Sequence, residues 1–123
     1  MLVYLYIFLG GGLGAVSRFG VGKFSALFLG DDFPYGTLIS NFLSCLIVGV
    51  LLYYSMGLKW LSDEMKFFLI AGFCGGFSTF STFSLETVEL IKSGQNMLAI
   101  LNVVVSLLLC FGIVFLLLNK ERI

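Results

Sequence analysis

The chain has 123 residues, 59% of them hydrophobic and 11% charged, with a net charge of zero and no histidine. A soluble domain carries about 25% charged residues, so this composition and a mean hydropathy of +1.09 exclude a soluble globular fold and indicate an integral membrane protein. No basic patch for nucleic acid is present.

Spanning hydrocarbon takes roughly 20 apolar residues per helix. Four runs reach that length, near 2–27, 36–57, 65–92 and 96–118, which leaves almost nothing for a second domain. The expectation is a single all-α integral membrane domain with four transmembrane helices. Segment 1 has no basic n-region and no small-residue cleavage site, so it reads as a retained helix and not as a signal peptide. It carries Gly10, Gly11, Gly12, Gly14 and Gly20. The four-residue spacing of Gly10 and Gly14 lets another helix approach closely where lipid supplies no hydrophobic drive to associate. Arg18 lies well inside the run, where an unpaired charge costs about 3 kcal/mol or more. It either snorkels to an interface as an anchor or draws anions to a vestibule.

The first loop, GDDFPYG, holds Asp31, Asp32 and the only proline, Pro34, and reads as a turn followed by a helix start. Segment 2 is apolar apart from Thr37, Ser40, Asn41, Ser44 and Gly49. A carboxamide in hydrocarbon must be hydrogen-bonded, and an interhelical bond would account for Asn41. The second loop places Trp60 at headgroup level.

The third segment contains GFCGGFSTFSTFSLETVE, from Gly72 to Glu89, in which Gly72, Gly75 and Gly76 precede Ser78, Thr79, Ser81, Thr82 and Ser84. Phe73, Phe77, Phe80 and Phe83 are threaded through them. Glycine pairs are poor helix formers, and in hydrocarbon every freed backbone group needs an internal partner. A helix break near the membrane centre, lining a cavity or binding an ion, is therefore expected here. Glu86 follows by about two helical turns. Three roles are open to it: a proton-coupling carboxylate, an acceptor that orders hydroxyls, or an interfacial charge. Segment 4 carries Asn102, Ser106 and Cys110 at four-residue intervals, hence on one helical face.

Cys45, Cys74 and Cys110 sit singly on three segments, which argues for free thiols and against a disulfide framework or a zinc site. An even number of spans puts Lys59, Lys66, Lys120 and Arg122 on one side, with Lys23 and Lys92 opposite and Arg18 counted there or not according to its depth. So weak a bias permits insertion both ways up.

Four thin helices enclose an aqueous path poorly, so a homodimer is the economical assembly, antiparallel if insertion is two-way. Backbone carbonyls released by the break are hard oxygen ligands suited to an alkali cation. The hydroxyls of Ser78, Thr79, Ser81, Thr82 and Ser106 and the amide of Asn41 are suited to replacing the hydration shell of a small anion. Phenyl edges carry positive quadrupole and can assist, although helix packing or contact with lipid explains phenylalanine equally well. No nucleophile and base stand in a plausible constellation, so no enzyme activity is expected.

Three stretches, GGGLGAVSRF at 10–19, GTLISNFLSCLIVG at 36–49 and GFCGGFSTFSTFSLE at 72–86, resemble the Fluc (CrcB) fluoride channels in motif order. The resemblance implies a dual-topology homodimer of antiparallel subunits in the cell membrane, with fluoride pores and a structural sodium ion at the dimer interface. By the same resemblance, Asn41, Phe80, Phe83, Ser81, Thr82 and Ser106 line the fluoride pore, and Arg18 lies near its entrance. Gly75 and Ser78 hold sodium through main-chain carbonyls; the family usually has threonine at the position of Ser78. It often places a tyrosine in the fourth helix, where this chain has none. The implied activity is passive export of fluoride. Two other readings are a small dual-topology proton-coupled multidrug exporter, which would carry an acidic residue in its first span, and a non-transporting assembly subunit.

Overall fold

The computed structural model describes residues 1–54 and 61–119; Lys59, Trp60, Lys120 and Arg122 fall outside the described residues. Among the described residues, four helical stretches are long and apolar enough to cross a membrane: Leu2–Leu29, Tyr35–Tyr54, Asp63–Lys92 and Asn96–Asn119. No strand occurs among the described residues.

Helix α1 (Leu2–Leu29) ends at Gly30, whose φ of 83° turns the chain into the Asp31–Asp32 loop. Helix α2 (Tyr35–Tyr54) starts directly after Pro34, whose carbonyl accepts from the Leu38 N–H at 3.2 Å. This is where the fixed φ of proline favours a start. The third stretch is composite. It opens as α3 (Asp63–Lys66), where Ser62 accepts from the Met65 N–H and Asp63 and Glu64 occupy the first turn. It widens into π-type turns over Phe67–Cys74, then closes as α4 (Gly75–Phe77). Ser78 and Thr79 are extended, and α5 (Phe80–Lys92) follows. Helix α6 (Asn96–Asn119) completes the fold.

Apart from Phe77 and Leu90, the buried residues are small or polar. Gly10, Gly14, Ser25, Ser40, Ser44, Gly49, Gly72, Asn102 and Ser106 are buried, whereas Phe8, Val16, Leu27 and Phe28 are each at least 71% exposed. This inverts the arrangement of a water-soluble protein. Leucine gains nothing by leaving lipid for protein, so close packing and hydrogen bonds select the interior instead. Helix α1 packs most extensively on the π-type segment. There Gly10, Gly11 and Gly14 mesh with Gly72 and Gly76 so tightly that a side-chain carbon on Gly14 would collide with the Phe73 carbonyl and the Phe77 N–H. The other pairs meet in the same way. A Cβ on Gly36 would lie 2.7 Å from the Gly22 Cα, and one on Gly49 would lie 2.6 Å from Leu117 Cδ1. The Gly10–Gly14 face is thus used within the subunit and is not left open for a second copy.

Gly14→Val must push backbone apart, an overpacking cost of about 1–3 kcal/mol. A Cβ at Gly12 meets nothing within 4 Å, so Gly12→Ala is expected to leave stability unchanged or slightly raised. Thermal unfolding of the two variants in detergent, followed by size-exclusion chromatography, checks this difference.

Candidate functional site

The extended pair Ser78–Thr79 (φ −82°, ψ 156° and φ −155°, ψ 121°) would leave backbone polar groups unpaired if nothing met it. Asn41 meets it. The Thr79 N–H donates to Asn41 Oδ1 at 2.7 Å, and Asn41 Nδ2 donates to the Thr79 carbonyl at 3.2 Å. One side-chain amide therefore pairs with both polar groups of one residue, as a neighbouring strand would. Thr79 also starts α5, its Oγ1 accepting from the Thr82 N–H at 3.1 Å. On the other side of the interruption, the Ser78 N–H and Oγ both donate to the Cys74 carbonyl. Arg18 Nε donates to the Gly76 carbonyl at 3.3 Å. The guanidinium thus reaches inward to the C-terminal end of residues 67–77, where the helix dipole favours a cation.

The interruption frees the carbonyls of residues 75–78 from their helical donors; Arg18 takes that of Gly76, and two of the others are those of Gly75 and Ser78. In a continuous helix the Thr79 N–H would close on the Gly75 carbonyl and the Thr82 N–H on the Ser78 carbonyl. Those donors are taken by Asn41 Oδ1 and Thr79 Oγ1. Gly75 is exposed on the subunit surface and Ser78 half-buried. Freed main-chain oxygens are suitable ligands for a hard cation such as sodium. Among the described residues no group of three or more His, Cys, Asp or Glu could hold a metal instead.

Beside the extended pair lies a cavity of about 240 Å³. It brings together Asn41, Ser78, Phe80, Phe83 and Ser106, with Cys45, Thr79, Leu107 and Cys110 completing the wall. Arg18, Gly75, Ser81 and Thr82 do not line it. Ser81 is exposed, with its hydroxyl 3.3 Å from Thr79 Oγ1, and Thr82 is half-buried. The four threaded phenylalanines divide at the interruption. Phe73 and Phe77 stack with centroids 5.4 Å apart, and Phe77 is buried, so this pair packs helices. Phe80 and Phe83 face the cavity with centroids 5.9 Å apart, and Phe80 is 80% exposed on the subunit surface.

A polar network behind the cavity was only half visible in the sequence. Ser106 Oγ donates to Asn102 Oδ1 at 3.5 Å, Asn102 Nδ2 donates to Thr87 Oγ1 at 2.9 Å, and Thr87 Oγ1 donates to the Phe83 carbonyl at 2.7 Å. The spacing of Asn102 and Ser106 signalled a polar stripe, but nothing singled out Thr87 as its partner. Glu86 accepts a hydrogen bond from the Thr37 hydroxyl, the acceptor role among the three open to it. It faces a space of about 380 Å³ that also receives Asp31, Asp32 and Glu89.

Four apolar helices around small residues, with an interrupted third stretch and a partly polar cavity beside it, define a multi-pass membrane protein. The family model for CrcB-like protein, Camphor Resistance (CrcB), matches residues 5–118, and the chain belongs to that family. A protein from Clostridium perfringens (strain 13) named fluoride-specific ion channel FluC is 43% identical over 107 residues, covering 87% of this chain and 84% of that protein. Proteins of the same name from Coxiella burnetii (43% over 111 residues, 88% of each chain) and Pyrococcus abyssi (42% over 116 residues, 91% of this chain and 89% of the other) are similar throughout.

Asn102→Ala removes the bond from Thr87 and the acceptor for Ser106; with interhelical hydrogen bonds in membranes worth about 0.6 kcal/mol on average and up to about 1.7, it is expected to destabilise by roughly 1 kcal/mol. Thermal unfolding beside Asn102→Gln, which retains the chemistry at greater length, measures it. Asn41→Asp keeps the acceptor for the Thr79 N–H but turns a carboxylate oxygen toward the Thr79 carbonyl. The expected outcome is a larger loss of stability at neutral pH than for Asn41→Ala, and equal melting temperatures for the two would contradict the pairing.

Proposed function

We propose that this protein is a fluoride-selective ion channel that lets fluoride leave the cell down its electrochemical gradient and so limits its toxicity. The observation that carries the proposal is the convergence of Asn41, Phe80, Phe83 and Ser106 on one cavity beside the extended Ser78–Thr79 pair. Family membership and the name its relatives carry support the same reading.

The residues supply what a small, strongly hydrated anion requires. Asn41 Nδ2 carries two hydrogens, and pairing with the Thr79 carbonyl uses one of them, leaving the second for an ion. The Ser106 hydroxyl has one proton, which it gives to Asn102 Oδ1 at 3.5 Å, so it donates to an ion only by rotating away from that long bond. Phe80 and Phe83 offer ring edges, whose positive quadrupole replaces hydration without binding the ion as tightly as a full counter-charge would. An ion bound too tightly does not leave, so weak ligands along the path favour conduction. Ser81 and Thr82 extend the hydroxyl track on the outer face of α5, and Arg18 raises the local anion concentration near the entrance.

The exposure of Phe80 and Gly75 favours a second copy that covers them. The assembly in this reading is an antiparallel homodimer of dual-topology subunits in the cell membrane, with the interruption at 78–79 near the membrane centre. The Gly75 and Ser78 carbonyls of each subunit would then hold a sodium ion at the interface. Sodium there supplies a fixed positive charge that stabilises the interrupted backbone. The protein is not an enzyme in this reading. A proton-coupled multidrug exporter is disfavoured, because α1 contains no acidic residue.

Liposomes carrying purified protein and loaded with potassium fluoride are expected to lose fluoride rapidly once valinomycin shunts the charge, and to retain chloride in a matched run. Phe80→Ile and Phe83→Ile should each reduce the efflux rate while the protein elutes as an intact dimer. Unchanged flux in both variants would remove the rings from the mechanism, and absence of fluoride loss from inserted wild-type protein would sink the channel.

A further inference from the structure

The sequence places Cys45 and Cys110 on separate spans, and the fold brings them together. Both are free thiols, half-buried, on the packed pair α2 and α6, and both line the same two spaces. They form part of the wall that carries Asn41, Phe80 and Phe83. They also line a second space, about 830 Å³, that continues along α6 past Phe111 and Val114. The thiol pair is thus common to both spaces. The third thiol, Cys74, is buried and lines neither.

Two adjacent sulfurs in mostly apolar surroundings suit a narrow class of ligand. Thiolates select soft metals, and a bound thiol gives up its proton outright. Zinc takes about four ligands, and this site offers two. A soft monovalent ion held by two thiolates would leave a net negative charge in a low-dielectric wall, which is costly. A soft divalent ion of linear coordination leaves none: two S–H bonds break, two metal–sulfur bonds form, two protons pass to water, and the product is neutral. We propose that Cys45 and Cys110 form a two-thiol site for such an ion, mercuric ion being the type, and that its occupation closes the cavity to fluoride. The closure rests on the channel reading; the binding does not.

The test of binding uses full-length protein in detergent, mercuric nitrate, and excess 2-mercaptoethanol as a competing monothiol. Wild-type protein is expected to retain one mercury per subunit after desalting, with the ultraviolet sulfur-to-mercury charge-transfer band. Cys74→Ala should retain it, and Cys45→Ala and Cys110→Ala should each lose it. Retention by both of the latter, loss by Cys74→Ala, or no retention by wild type overturns the site. A measurement on wild type alone guards against misfolded variants: after denaturation, alkylation of the mercury-loaded protein should modify Cys74 and spare Cys45 and Cys110, and equal modification of all three contradicts the pairing. In fluoride-loaded liposomes, mercuric ion should abolish wild-type efflux while leaving Cys45→Ala at its own untreated rate. Retained mercury with undiminished wild-type efflux overturns the closure. Because retention needs no flux, a failed site and a failed channel give different results.

Discussion

Backbone amides cannot be left unpaired in hydrocarbon, and the amide-to-amide contact between Asn41 and Thr79 is where this fold answers that constraint. A two-residue extended stretch within a 30-residue apolar span would cost several kcal/mol for each orphaned group. Asn41 satisfies both polar groups of Thr79, and the Thr79 hydroxyl satisfies the Thr82 N–H, so the interruption carries less of that penalty. Everything assigned to function sits around this contact. The freed carbonyls of Gly75 and Ser78 exist because the donors they would have used are occupied, and Phe80 and Phe83 turn toward the cavity because α5 begins anew.

Two kinds of adhesion hold the frame around that point. On one side, α1 and residues 67–77 interlock through glycine, with no side chains between the backbones. That contact is dispersion at close range, the form of packing that lipid does not compete with. On the other side, α5 and α6 are joined through Thr87, Asn102 and Ser106. The interruption at 78–79 separates these two regions. Arg18 and Asn41 reach it from α1 and α2, so three membrane-spanning stretches contribute to one small volume.

Much of the architecture was legible in the residues. The four apolar runs follow from length and hydropathy, and the glycine-then-hydroxyl order of 72–84 flags the place where the helix yields, because local propensity and the need for internal partners point the same way. Partner identity was less legible. Asn41 clearly required hydrogen bonds, but periodicity along one helix says nothing of its depth relative to another, so Thr79 as the partner could not be read. The same ignorance of relative depth hid Thr87 behind Asn102 and kept Cys45 apart from Cys110. The Gly10–Gly14 face was visible as a packing face, and only three-dimensional proximity showed that it is used within the subunit. Ser81 and Thr82, which the resemblance placed in the pore, are not among the residues that line the cavity of the single subunit.

The contact between Asn41 and Thr79 spans 38 positions, and its order along the chain bears on biogenesis. A ribosome delivers α2 to the bilayer before Thr79 has been synthesised. When the weakest stretch of the third span emerges, the side chain that completes its hydrogen bonding is already in place, as are the glycines of α1 that receive its first half. The newborn chain therefore need not expose the interruption to lipid while it waits for a partner, and the most fragile backbone in the protein is assembled against a template made earlier in the same polypeptide.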